Sequence, residues 1–182
     1  KYLIEKYKNI EVQVELASEY RYKKVFYDKK TLVIFISQSG ETADTLACVK
    51  KVKNDKIDTL GIVNVISSSI AREVDKVIYT KAGCEIAVAT TKAYIAQITI
   101  LALLANKNIS NISNLMNDVL NNDYLKIAKL LYKSNNIFFI GRGIDYALSL
   151  EGSLKLKEVS YIHSEAYAAG ELKHGTISLI DN

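Results

Sequence analysis

Ile34-Phe35-Ile36-Ser37-Gln38-Ser39-Gly40-Glu41-Thr42-Ala43-Asp44-Thr45-Leu46 passes from an apolar run into hydroxyl, amide and glycine residues and then into a helical pattern. Residues 32–36 read as a buried strand, and residues 41–53 carry Ala43, Leu46, Val49 and Val52 at three-residue steps with Ala47 alongside. A strand that runs through Ser-Gln-Ser-Gly into a helix N-terminus leaves several backbone N–H groups without partners. The hydroxyls and the positive end of the helix dipole then converge on one point, which suits a phosphate. Ser39 or Gly40 is placed to cap the helix, with Thr42 in its first turn. An ordinary capped helix is the plainer reading, but Ser37, Gln38, Ser39 and Thr42 together exceed what a cap needs.

Outward from this stretch, the spacing predicts a helix over 2–8, a first strand over 10–16, strands over 33–37, 59–65 and 77–80, and a helical turn over 69–74. Such alternation predicts an α/β fold, a parallel sheet covered on both faces with right-handed crossovers. Ligands in such sheets bind beyond the carboxyl ends of the strands, where the 37–42 loop falls. A strongly apolar helix over 91–105 is expected to be buried on most sides. A polar connector over 106–111 leads to a helix over 112–132, interrupted around Asn121-Asn122-Asp123. A strand over 137–140 opens a second strand–glycine loop–helix unit, and a new strand is expected over 177–180. The organisation is therefore a first subdomain over 1–107, a connecting helix over 108–134 and the start of a second subdomain over 135–182. The second set of elements is too small for a closed sheet, and the chain starts at Lys1, so a piece of a larger gene product is expected.

With 24 Lys and Arg against 20 Asp and Glu, the net charge of +4 favours an anionic substrate only mildly. No dense basic stripe with interleaved aromatics argues for nucleic acid. The cluster of Lys23, Lys24, Lys29 and Lys30 reads as a solvated face. Cys48, Cys84, His163 and His174 lack zinc-site spacing. Cys48 reads as a small buried hydrophobe, and a reducing, cytoplasmic setting is the default expectation. The apolar stretch 93–106 is too short to span a bilayer, so no membrane is expected. The chain contains no proline.

On the helix over 145–160, Glu151, Lys155 and Glu158 recur at steps of four and three. A salt-bridged surface is the plain reading. The apolar neighbours Leu154, Leu156, Val159 and Tyr161 point instead to partial burial, and a half-buried carboxylate beside a lysine is a tuned base.

The 37–42 stretch resembles the phosphate loop of the sugar isomerase (SIS) family. Gly141-Arg142-Gly143, the run Glu151-Gly152-Ser153-Leu154-Lys155-Leu156-Lys157-Glu158 and the run Glu165-Ala166-Tyr167-Ala168-Ala169-Gly170-Glu171-Leu172-Lys173-His174-Gly175 narrow the likeness. They resemble the isomerase half of the glucosamine-6-phosphate synthases, the glutamine–fructose-6-phosphate aminotransferases. The resemblance implies the three-layer, doubly wound (flavodoxin-like) SIS fold, one near-complete subdomain plus part of a second. It implies that Glu158 exchanges the proton, Lys155 steadies the enediol oxygens and His174 opens the sugar ring across a homodimer interface. It further implies that Ser37, Gln38, Ser39 and Thr42 hold the phosphate and that Val88 and Thr90 line the sugar. Thr90 stands where the family more often has serine. His163 matches no functional position and reads as structural.

No metal or organic cofactor is implied. The family's further hydroxyl-rich loop, its C-terminal lysine tail and its glutaminase domain have no counterpart among these residues. Neither Cys48 nor Cys84 matches the glutaminase nucleophile, so a glutaminase partner domain is expected elsewhere in the full protein. Two alternatives stay open: a sugar-phosphate-binding SIS module without catalysis, and an SIS deglycase or isomerase acting on another phosphorylated amino sugar.

Overall fold

A computed structural model describes residues 1–28 and 30–180 and divides the chain into two compact units, essentially 3–109 and 110–180. In the first, β1 (Leu32–Ser37), β2 (Asp58–Val63) and β3 (Lys76–Tyr79) form a parallel sheet in the order β1-β2-β3. Pairing runs from Leu32 opposite Asp58 to Ser37 opposite Val63, which brings the ends of β1 and β2 level. β2 is buried from Thr59 to Val63, as a central parallel strand must be, and its sequence is accordingly apolar without alternation. Ahead of the sheet lie α1 (Tyr2–Lys8) and α2 (Ala17–Tyr20). The crossovers are α3 (Ala43–Asn54), packed on α2, β1 and β2, and the short α4 (Ser69–Glu73), packed on α3 and β2. Phe35, Cys48, Val49, Val52, Val63, Ile70 and Val74 form the core between these layers. The Cys48 thiol is buried there and donates to the Ala17 carbonyl at 3.2 Å.

Three expectations are corrected in this unit. Residues 10–16 form no strand. Their alternating pattern finds no ladder; the Val12 N–H goes to Glu5 Oε1 at 3.2 Å, and Val14 and Leu16 are exposed. The helix expected over 91–105 is α5 (Lys92–Leu104), and within it only Ala93 and Ala102, two of its three alanines, are buried. Its large side chains Ile95, Ile98 and Leu103 are exposed, because a helix apolar on every side carries no signal about which face packs. Finally, α3 is capped by Thr42, not by Ser39 or Gly40. Of the lysine cluster, Lys23 pairs with Glu15, Lys24 is exposed, and Lys29 lies outside the described residues.

At the opposite end of the sheet from the 37–42 loop, Asp75 accepts from the backbone N–H and the hydroxyl of Thr59 at 2.9 and 2.6 Å, and pairs with Lys53 at 3.3 Å. Thr59 first, and then Lys53, hold the Asp75 carboxyl below the usual carboxylate range. A group whose folded pKa is depressed lends stability above its unfolded value, near 3.9, and that stability is lost as pH falls through the lower folded value. Denaturant midpoints measured from pH 6 down to pH 2 are therefore expected to fall less steeply for Asp75→Asn than for the parent. Identical slopes would remove Asp75 from the account.

The second unit begins with α6 (Ile112–Leu120) and α7 (Leu125–Leu131), separate helices where one interrupted helix was expected over 112–132. Then follow β4 (Asn136–Gly141), α8 (Ile144–Ser160) and β5 (His163–Ala168), with β4 and β5 paired in parallel from Asn136–His163 to Gly141–Ala168. β5 was not expected: its polar residues hide it in the sequence, and only the pairing with β4 makes it a strand. The strand expected over 177–180 is instead a turn of 3-10 helix, Thr176–Leu179. Gly152 lets α8 lie on β4, since a Cβ there would meet the Phe139 ring at 3.0 Å. Ser153 and Ser164 join α8 to β5, the Ser164 hydroxyl donating to the Ser153 carbonyl at 2.8 Å.

Candidate functional site

The first unit gathers Ser37, Gln38, Ser39 and Thr42 in the turn that carries β1 into α3. The buried Ser37 hydroxyl lies 3.0 Å from that of Thr42 and accepts the Gly40 N–H at 3.0 Å. Ser39 Oγ accepts the Glu41 N–H at 3.1 Å. Gly40 adopts φ +68°, which turns the chain back toward the helix. Thr42 caps α3 by backbone conformation, with no hydrogen bond from its side chain to the helix, because its hydroxyl is turned toward Ser37. The leading N–H groups of α3 thus remain as donors beside a row of hydroxyls, an arrangement that receives an anion.

Sequence reasoning missed the residue that ties this loop to its neighbour. Asn64, just past β2, donates its backbone N–H to the Gln38 carbonyl at 3.0 Å. Its side chain donates to the Gly83 carbonyl at 2.7 Å and accepts from Thr80 Oγ1 and the Ala82 N–H at 2.8 and 2.9 Å. One residue, through its backbone on one side and its side chain on the other, therefore joins the 37–42 loop to the segment that leads to Val88 and Thr90. The available signal was a polar residue at the carboxyl end of an otherwise apolar strand. Val88 is exposed and Thr90 partly buried. The turn into α5 is held by Glu85, which accepts the Thr91 N–H at 2.8 Å, and by Lys92, which donates to the Cys84 carbonyl at 2.6 Å.

The second unit gathers Glu151, Lys155 and Glu158 on one face of α8. The Lys155 ammonium contacts the Glu158 carboxylate and stands 3.7 Å from that of Glu151, with all three side chains about three-quarters covered at 25% exposure. Burial works to lower the Lys155 pKa, but the hydrogen bond and charge of Glu158, helped by Glu151, leave it raised. Lys155 is therefore the cation of the cluster, and Glu158 accepts its hydrogen bond. The burial does not come from Leu154, Val159 or Tyr161, which are exposed. His174 sits in the turn after β5, exposed, its backbone N–H bonded to the Glu171 carbonyl at 2.9 Å. His163 Nδ1 lies 2.9 Å from Asn136 Oδ1 across the β4–β5 pair. No group of three or more His, Cys, Asp or Glu among the described residues could hold a metal, and no described helix is long and apolar enough to cross a membrane.

The model of the SIS domain matches residues 1–107 and 130–182. The chain belongs to the SIS domain family. Across its whole length this SIS chain is 48% identical to the glutamine–fructose-6-phosphate aminotransferase (isomerizing) of Clostridium tetani and 47% identical to that of Caldanaerobacter subterraneus. It spans 33% of the length of each. Among solved structures, the C-terminal domain of glucosamine-fructose-6-phosphate aminotransferase from Francisella tularensis superposes with a TM-score of 0.85 at 40% identity, covering 100% of this chain and 57% of that one. A glucosamine-6-phosphate deaminase from Thermotoga maritima shares the fold with a TM-score of 0.84 at 24% identity, covering 100% of this chain and 59% of that one. The mixed α/β architecture with parallel sheets is that of these SIS neighbours.

Proposed function

We propose that this chain is the sugar-isomerising part of a glutamine–fructose-6-phosphate aminotransferase, acting in the conversion of fructose 6-phosphate and glutamine-derived ammonia to glucosamine 6-phosphate. The observation that carries the reading is the β1–α3 turn, where the Ser37 and Thr42 hydroxyls meet 3.0 Å apart beside the free N–H groups of a helix. The phosphate binds there, with Gln38 and Ser39 completing the ring of donors and Val88 and Thr90 along the sugar. The substrate's binding energy is thus gathered at a group remote from the reacting carbons.

Isomerisation moves a proton between adjacent carbons. Glu158 removes it from one carbon and returns it to its neighbour, passing through an enediolate or the corresponding deprotonated enolamine, whose negative charge the Lys155 ammonium offsets. His174 donates to the ring oxygen and accepts from the anomeric hydroxyl, opening the sugar, and it does so from a second copy of the chain in a homodimer. The glutaminase that supplies ammonia belongs to a separate domain.

Calorimetric titration of the chain tests the reading. Fructose 6-phosphate is expected to bind and unphosphorylated fructose to bind at least about tenfold more weakly. Equal affinity for the two sugars would refute the phosphate loop. Solvent proton exchange into the bound sugar phosphate separates catalysis from a purely sensing module, which would bind without exchanging.

A further inference from the structure

A carboxylate stands inside the loop proposed to hold a dianion, since Glu41 separates Gly40 from Thr42. Left in the loop, its charge would oppose phosphate binding. The structure turns it elsewhere. Glu41 Oε1 accepts the backbone N–H of Ser69, the first residue of α4, at 2.8 Å. The adjoining Gly40 carbonyl accepts the Ile70 N–H at 2.9 Å. Ser69, and then the charge of Arg72 one turn along α4, lower the Glu41 pKa, so the carboxylate is ionised at neutral pH. Beneath both contacts lies Ser68, whose hydroxyl is buried without a hydrogen-bond partner and presses on Gly40 so closely that a Cβ there would lie 2.0 Å from it. Consecutive residues of α4 and its cap therefore touch consecutive residues of the loop.

Building on the phosphate-loop reading, we infer that Glu41 is a positioning residue: it latches the 37–42 loop to the start of α4, orders that loop before the ligand arrives and withdraws its own charge from the anion-binding face. Two leading α4 N–H groups, those of Ser69 and Ile70, are occupied by Glu41 and Gly40. That leaves α3 as the receiving helix. Ordering the loop in advance spares the ligand the entropy of doing so, and so strengthens binding without any contact between Glu41 and the sugar.

Four variants, each checked for folding by circular dichroism, are titrated with fructose 6-phosphate beside the parent. Glu41→Ala is expected to weaken binding about tenfold. Glu41→Gln keeps an oxygen that accepts the same N–H, and is expected to stay within about threefold of the parent. Ser69→Pro deletes the donor, together with the hydroxyl that accepts from Arg72 at 3.2 Å, at the first helical position where proline is tolerated, and is expected to match Glu41→Ala. The double variant Glu41→Ala/Ser69→Pro is expected to be no weaker than either single one, the mark of a shared interaction. Parent-like binding by Glu41→Ala, or effects of the two single changes that multiply, overturns the latch. Should Glu41→Ala not fold, Glu41→Gln and Ser69→Pro decide: parent-like binding by Ser69→Pro overturns it. Ser39→Ala serves as the control for the site itself. If it weakens binding while Glu41→Ala does not, the latch alone fails. If the parent binds phosphorylated and unphosphorylated sugar alike, the phosphate reading fails and takes the latch with it.

Discussion

Glu158→Gln is expected to abolish proton exchange while leaving sugar-phosphate binding in place. A positioned general base contributes about 10²–10⁴-fold to rate, so exchange of solvent label into bound sugar phosphate should fall by about that factor. Affinity should change little, because the donors proposed for the phosphate belong to the 37–42 loop and not to α8. Glutamine preserves the volume of the side chain and an acceptor for Lys155, so the loss isolates basicity from shape. The complementary change, Lys155→Met, removes the cation that contacts Glu158 and stands 3.7 Å from Glu151. With the ammonium gone, two carboxylates share a face of α8 without compensation and the charge developing on the sugar loses its counter-ion, so exchange is expected to fall about 10²–10³-fold with affinity little changed. Full exchange by Glu158→Gln, measured by mass spectrometry of the recovered sugar, would remove Glu158 from the reaction.

Gly40→Ala carries the second large effect, and it acts on fold and loop together. At φ +68° any residue with a side chain is strained, at a cost of about 1–3 kcal/mol. The added methyl would also lie 2.0 Å from Ser68 Oγ and 2.5 Å from its Cβ, an overlap that buried packing answers with a further cost of about 1–3 kcal/mol. Stability by urea denaturation is therefore expected to fall by about 2–6 kcal/mol, with phosphate-dependent binding lost. The two costs can be separated. Ser68→Gly in the same chain deletes both offending atoms and should restore the packing part, leaving the strain of the left-handed backbone. No recovery in the double variant would mean that α4 is not what confines Gly40.

The elements nearest the 37–42 loop were legible because their signals are local. An apolar run ending at Ser37 and apolar residues at helical steps through Val52 need no partner to be read, and they stand as β1 and α3. The turn into α3 was legible as a cluster of donors for the same reason. Its internal wiring was not. That Thr42 turns its hydroxyl to Ser37 and caps α3 by conformation alone depends on where β1 ends against the helix. Asn64 shows in sequence only as a polar residue closing an apolar run, and it matters because parallel pairing brings the end of β2 level with that of β1.

Strands beyond the core marked the limit. Residues 10–16 have the alternation of a strand and lack a ladder, while His163–Ala168 lacks the alternation and has one. A strand exists only when a second segment accepts its hydrogen bonds, and pairing between distant segments leaves little trace in either one's composition.

By itself, then, the sequence determined the α/β alternation, the donor-rich turn after the first buried strand and the spacing that sets Glu151, Lys155 and Glu158 on one helical face. These are properties of near neighbours along the chain, written in side-chain periodicity and in the dipole of a helix start. Tertiary structure alone decided that α4 grips the loop through Ser68, Ser69 and Ile70, that Asn64 joins two segments, and that β5 is a strand. Those depend on which backbone groups meet across the fold, and a hydrogen bond between residues far apart in sequence is set by the packing of the layers that carry them.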